Sequence, residues 1–523
     1  MARPAEIGGE GGRPLEAAYD YIVVGAGSGG SVVARRLAER SDATVLLIEA
    51  GPSDLGIAAI ENAAAWVSLF KGPYDWGYDY APAPHCDGRV IPLPRGKVLG
   101  GSSSINAMLW YRGHPADYDA WAAAGATGWD FASLLPYFRR AEDWEGGANA
   151  WRGAGGPLRI ERPRDPHPIA TALLDAAATL GLPVIDDPNG ETNEGAALSN
   201  LNATAGRRWS AADGYLRPVL GRRNLTVLCE SEVARLDFEG DRCVALRHRV
   251  GGVEHRTIAR VEVILAAGAI DTPRLLLLSG IGDPVDLARL GAPVVAALPG
   301  VGRNLQDHPL LMGMNFVARA PLGPVRDNGG GAMINWKSRP DLAQPDLHAF
   351  IVQGRHAGPE VIADYDVPEN CFAISPGLMR SASVGRMTVH GPARADVELQ
   401  PNYLAEPADL AALVESIDFV MDLVDTPAYR DLALRPASPD RRLTRAEKIA
   451  FVRRSCGTFF HASGTCAMGI DDAAVVDPTL RVYGVEGLRI ADASVMPVIP
   501  SCNTHAPVVA IAERAADLIL GPA

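Results

Sequence analysis

Two short runs of β-branched and apolar residues, 21–24 and 44–48, bracket a segment, 31–40, whose apolar positions Val32, Val33 and Leu37 recur at helical spacing. A strand, an amphipathic helix and a second strand in that order make a βαβ unit. Such units build parallel sheets with ligand sites at the carboxyl ends of the strands. Further along, residues 225–238 and 261–266 read as strands, the second running straight into a glycine turn. Residues 117–141 carry a helical pattern in two pieces, and 172–180 in one. The stretch 50–94 has no sustained period and many Gly, Pro and aromatic residues, so it reads as long loops over the first domain. Between 309 and 454 the pattern changes. Alternating positions at 346–352 and 386–390 predict strands of a mostly antiparallel sheet, and a long helical run follows over 407–424. The predicted fold class is α/β with α+β elements: a Rossmann-type domain beside a second domain built on an antiparallel sheet.

Composition narrows the class of partner. The chain has 523 residues, too many for one ordinary domain. Its net charge is -13 with no basic run, which argues against nucleic acid or an anionic membrane as partner. No stretch reaches the roughly 18 apolar residues of a membrane helix. The seven cysteines show no CxxC spacing, so neither a disulfide framework nor a metal site is expected, and a reducing, cytoplasmic location fits best. Residues 1–18 are rich in Gly, Pro, Ala and Glu without a basic-then-apolar pattern, and read as a disordered leader.

Four segments carry chemistry. The first is GAGSGG, with Gly25, Gly27 and Gly30 straight after the first strand. Gly25 allows a tight turn, Gly27 lets backbone approach a pyrophosphate, and Gly30 lets the helix pack close to the sheet. Glu49 ends the second strand, 24 positions after Gly25, where a carboxylate can accept hydrogen bonds from ribose hydroxyls. A surface loop of glycines with Glu49 as a solvated charge is the competing reading, and it leaves the surrounding strand–helix–strand pattern without a role. The second segment, residues 96–106 (GKVLGGSSSIN), is by itself a Gly/Ser loop. The third, residues 268–282, is by itself another strand–turn–helix unit. The fourth joins Phe459, Phe460, His461 and Gly464 to Asp492, Asn503, Thr504 and His505 far downstream. A lone histidine is more often structural than basic.

Together and in this order the four segments closely resemble the glucose-methanol-choline (GMC) oxidoreductases, FAD-dependent enzymes that oxidise alcohols. The resemblance runs from Tyr19 to about Leu520, and is strongest to bacterial members of the hydroxymethylfurfural oxidase, pyridoxine 4-oxidase and aryl-alcohol oxidase type. It implies a discontinuous FAD-binding domain over 19–155, 205–308 and 455–523, with a substrate-binding domain over 156–204 and 309–454. It gives His461 the place of the active-site base and Asn503 that of its partner. Phe460, with Phe459, falls at the substrate pocket. The implied cofactor residues are Gly25, Gly27, Ser28, Gly30, Glu49 and Ala50 in the βαβ unit, then Val98, Gly101 and Ser103. Asn106, Ala107, Met108 and Leu109 resemble the stretch beside the isoalloxazine ring, and Val233 the residue whose backbone grips the adenine. Ala267, Asp492, Ala493, Thr504 and His505 complete the set, His505 as flavin wall; a slip of two positions would exchange it with Asn503. Some relatives attach the flavin through a His where this chain has Ile105, so the FAD is expected to be noncovalent.

The implied reaction takes a primary alcohol, aromatic or furanic, to its aldehyde by hydride transfer to flavin N5, with O2 as acceptor. A dehydrogenase using a quinone or other acceptor, a hydroxynitrile lyase and a non-catalytic flavoprotein are the alternatives. Phe459, Phe460, Trp336 and Met314 are candidates for an apolar pocket, with ordinary core packing as the other reading.

Overall fold

The computed structural model describes residues 15–522. Most of the expected leader, residues 1–14, lies outside the described residues; its last residue, Ala18, already belongs to the first strand, Ala18–Val24. That strand pairs in parallel with Val45–Ile48 on one side and Val253–Leu265 on the other, and Leu225–Leu228 extends the sheet beyond Val45–Ile48. Leu488–Ile490 pairs in parallel with the end of Val253–Leu265. An antiparallel ribbon of Arg242–Val250 and Ser231–Glu239 completes seven strands. The expected single strand over 225–238 is two, because Glu230 adopts φ +53 and turns the chain between parallel core and antiparallel ribbon.

The helix Ser28–Arg40 begins earlier than its apolar spacing predicts, since Gly29 and Gly30 form its first turn. A Cβ at Gly30 would lie 1.8 Å from the carbonyl oxygen of Gly25, so only glycine lets helix and strand approach this closely. The last helix, His505–Leu520, packs beside it. Fully buried Glu513 joins the two, paired with Arg36 at 2.7 Å and Arg140 at 2.8 Å, and accepting from the Tyr215 hydroxyl at 2.7 Å.

A second, eight-stranded sheet runs Ala433–Ser438, Asn315–Ala318, Cys371–Leu378, Leu347–Val352, Ala332–Trp336, Gly195–Leu198, with every pair antiparallel. Pro309–Leu311 joins its middle and pairs with Cys456–Thr458, the strand leading to His461. The long helix Pro407–Asp425 covers the sheet with Leu413, Ile417 and Val420. Trp336 and Met314 lie in the core, Trp336 stacked on Phe419 at 4.5 Å. The stretch 50–94 is not all loop: Tyr78–Ala83 and Arg89–Leu93 form a hairpin. Its buried positions Tyr78, Tyr80, Ile91 and Leu93 do alternate, but prolines 82, 84 and 92 obscure the pattern.

Candidate active site

One cavity runs from the carboxyl ends of the parallel strands, at Val24 and Ile48, to Phe350, Ile351 and Val352 of the second sheet. Gly25, Gly27 and Ser28 line it where the first helix begins, with no side chain capping that terminus. The helix therefore presents free N–H groups to the cavity, a ready anion site. The Gly/Ser segment comes up against the same turn: a Cβ on Gly101, at φ +55, would stand 2.7 Å from the Cα of Gly27. Buried Glu49 accepts from Ala26 N at 2.9 Å and Gly51 N at 2.8 Å, and burial pushes its carboxyl up to about 7. Asp492 accepts from Gly268 N and the Thr272 hydroxyl of the helix Gly268–Leu278 and from Ser494 N in its own segment, tying these two chain segments together at the cavity floor.

Ala50, Ser103, Asn106, Ala107, Met108, Leu109, Val233, Ala267, Ala493 and Thr504 also line the cavity. Gly30 and Val98 do not: Gly30 serves the helix–strand contact, and Val98 packs with Ile60, Leu69 and Ile105. His505 lines it with Nδ1 bound to Ser28 Oγ at 2.8 Å and buried Nε2 without a partner. Its ring stands 5.5 Å from Trp110.

Farther along the cavity lie His461 and Asn503, which come from separate segments. Asn503 Nδ2 is 3.2 Å from His461 Nε2. An amide N–H only donates, so Nε2 accepts and the ring proton sits on Nδ1, which donates to His308 Nδ1 at 2.9 Å. Burial first, then the nearby His308, Arg95 and His348, hold the His461 pKa well below the ordinary histidine value. The imidazole is thus neutral, with a lone pair on Nε2. Phe459 stacks on it at 5.5 Å and 10°. Phe460, at φ +66, turns its ring the other way, toward Phe70 at 5.2 Å, with Trp66 beyond at 5.4 Å.

Sequence reasoning assigned no role to several residues that hold this geometry. The Asp307 carboxylate accepts from the backbone N of His308 and His461 at 2.7 and 2.8 Å. It also accepts hydroxyls from Tyr80, Tyr403 and Thr458 at 2.6, 2.7 and 2.6 Å. Buried Arg208 donates to Asn106 O at 2.7 Å, its side-chain oxygen at 2.8 Å and Ser103 O at 3.1 Å, fixing the Gly/Ser segment from below. Arg95 donates to Phe460 O. The run Gly302 to His308 was a visible signal for Asp307 and His308; nothing local marks Arg208 or Arg95.

A nucleotide cradle at the head of a parallel sheet, opening onto a neutral histidine and an asparagine, defines a Rossmann-type dinucleotide-dependent oxidoreductase. The family profile described as GMC oxidoreductase matches residues 19–310 with its N-terminal part and 381–512 with its C-terminal part. The chain belongs to the GMC oxidoreductase family and is an FAD-dependent oxidoreductase acting on alcohols. It is 40% identical to human mitochondrial choline dehydrogenase over 96% of this chain and 90% of that one. It is 37% identical to the oxygen-dependent choline dehydrogenase of Brucella suis biovar 1, over 96% and 95%. Among solved structures it is similar to pyridoxine 4-oxidase from Mesorbium loti, with TM-score 0.91, 34% identity, and 95% and 98% of the two chains covered.

The residues present fit FAD. The uncapped helix terminus suits a pyrophosphate, and Glu49 retains lone pairs for ribose hydroxyls. Gly268, at φ +85, has nothing within 4 Å of where a Cβ would be, leaving room for a ligand against backbone. The unpartnered His505 Nε2 is a buried polar atom on the cavity wall that awaits a partner.

Proposed function

We propose that the chain oxidises a primary alcohol on an aromatic or furanic ring to the aldehyde, with O2 as acceptor and FAD held noncovalently. The observation that carries this reading is the neutral His461–Asn503 pair at the end of an aromatic wall with no carboxylate on it. Four carboxylates line the cavity, and all are engaged at the nucleotide end. Glu49 holds backbone N–H groups, Glu232 pairs with Arg394, Asp271 accepts from Tyr78, and Asp492 accepts from Thr272. Phe459, Phe460, Phe350, Phe70 and Trp66 line the other end. That surface suits a neutral ring better than a quaternary ammonium, which is best held where a carboxylate adds to aromatic faces.

Bound in the cradle, FAD supplies the hydride acceptor. Gly25, Gly27, Ser28, Glu49 and Asp492 hold its dinucleotide part. His461 Nε2 takes the hydroxyl proton, and its depressed pKa keeps the proton-accepting form populated at neutral pH. Asn503 Nδ2 donates to the substrate oxygen as negative charge grows there, fixing which carbon faces the acceptor. The phenyl rings exclude water from the reacting centre. His308, bound to Nδ1, keeps the base in the tautomer whose Nε2 carries no proton and can accept one. Ile105, buried among Ile60, Leu69 and Val98, offers no nucleophile for a covalent flavin link. Seven buried, unpaired cysteines support a reducing, cytoplasmic setting.

The second reading is a dehydrogenase passing electrons to a quinone-type acceptor, favoured by the 40% identity to human choline dehydrogenase. A panel of benzylic, furanic and aliphatic alcohols with choline, assayed for peroxide and for dye reduction, separates the two. The first reading requires higher kcat/KM for ring alcohols than for choline, with peroxide formed in air. Choline as the better substrate, with dye reduced and no peroxide, establishes the second.

A further inference from the structure

We propose that His356 determines specificity by donating a hydrogen bond from Nε2 to an acceptor on the substrate ring, at the edge away from the hydroxymethyl group. This rests on the ring-alcohol reading above. A continuous aromatic wall leads from the base to this residue. Phe459 stacks on His461 at 5.5 Å, Phe350 follows at 5.7 Å from Phe459, and His356 lies 5.9 Å beyond Phe350. All four line the cavity. A flat substrate lying along that wall with its hydroxyl at His461 has its far edge toward His356.

The imidazole is built to act in one orientation. His356 belongs to an irregular segment, yet its backbone is clamped on both sides by the amide of Asn315. Asn315 Oδ1 accepts from His356 N at 2.9 Å, and Nδ2 donates to His356 O at 3.1 Å. The ring is held by Ser375 Oγ, 2.6 Å from Nδ1. Ser375 is fully buried in the strand Cys371–Leu378, and Nδ1 is the partner its hydroxyl has among the described residues. A buried hydroxyl left without an acceptor costs free energy, so Ser375 donates to Nδ1 and the ring proton resides on Nε2. With Nδ1 turned into the sheet, the Nε2–H edge is the one left to the cavity. Burial holds the pKa at about 4, so the group is a neutral donor at working pH and offers nothing to a cation. The ligand class follows: hydroxymethyl arenes or heteroarenes carrying a ring nitrogen, carbonyl or hydroxyl acceptor opposite the alcohol. A site that hydrogen-bonds a substrate group discriminates against analogues lacking it, because its own polar atom is then left unpaired.

The test compares 4-pyridinemethanol with benzyl alcohol, the same shape with and without a ring acceptor, in the holoenzyme and in His356→Phe and His356→Gln. The readout is the ratio of the two kcat/KM values. Dividing each variant's ratio by that of the unsubstituted enzyme cancels the intrinsic reactivity of the alcohols. We expect the ratio to fall at least about tenfold in His356→Phe, the scale of one hydrogen bond, and to recover in part in His356→Gln, whose amide still donates. Ser375→Ala, which frees the tautomer, is expected to lower the ratio by a smaller factor and serves where the phenylalanine variant does not fold. An unchanged ratio in His356→Phe, or in Ser375→Ala when only that variant folds, overturns the assignment while leaving the ring-alcohol reading intact. Turnover of choline with neither ring alcohol oxidised overturns both.

Discussion

His461 has two candidate partners near the last helix, and the geometry separates them. Asn503 touches Nε2, while His505 is turned to Ser28. His461→Ala is expected to leave a yellow, folded protein whose flavin is reduced by a benzylic alcohol at least about a hundredfold more slowly. Asn503→Ala loses one hydrogen bond to the developing alkoxide and is expected to cost less. Rapid-mixing reduction of these variants and His505→Ala checks the order; His505→Ala matching His461→Ala, with Asn503→Ala near silent, would move the partner role to His505. Glu49 carries a pH dependence. Burial raises its carboxyl to about 7 from 4.5, so the folded, flavin-stripped protein holds this proton more tightly than the unfolded chain. The resulting stability is fully present below about pH 4.5 and is lost as pH rises through about 7. The melting temperature of stripped protein is expected to fall over that window, and by visibly less in Glu49→Gln. Parallel profiles for the two proteins would contradict this origin.

Elements meet at Asp307. One carboxylate collects the hairpin strand Tyr78–Ala83 through Tyr80, the strand Cys456–Thr458 through Thr458, Tyr403, and the backbone of both histidines. Removing it leaves five buried donors unmatched, at about 1–3 kcal/mol for each one not rescued by water or a new partner. Asp307→Ala is therefore expected to lower the urea midpoint strongly and to slow flavin reduction, because the His461 backbone loses its anchor. Asp307→Asn keeps an acceptor toward the two backbone N–H groups and a donor toward three hydroxyls that can accept. Its loss is expected to be much smaller, and equal losses in both variants would mean that the charge, rather than the bonding pattern, holds the site.

At the scale of the molecule, the cavity is walled by both sheets, so a ligand filling it braces the whole chain. Stripping FAD is expected to lower the melting temperature, and adding it back to raise it with concentration, as for any ligand bound only by the folded state. The flavin should leave intact on acid or heat treatment, since Ile105 offers no attachment. Colour remaining with the precipitated chain would contradict noncovalent binding. Among the described residues no helix is long and apolar enough to cross a membrane.

What the sequence determined by itself is what short-range rules encode. Period and glycine placement disclosed the βαβ cradle, Glu49 at the end of its second strand, and the change to an antiparallel sheet after residue 309. Motif order, through the family resemblance, singled out His461 and Asn503 as a candidate pair, and the fold brings their side chains to 3.2 Å. Local pattern failed where proline masked an alternating strand, as in the hairpin after Tyr78, and where one residue at positive φ, Glu230, cut a run in two. Only the tertiary structure decided which polar groups face one another. His308 meets His461 across 153 positions, Arg208 reaches Asn106 across 102, and Ser375 sets the tautomer of His356 from a neighbouring strand. Such partners are chosen because buried donors and acceptors must be paired wherever the fold brings them together, a requirement that leaves no period along the chain.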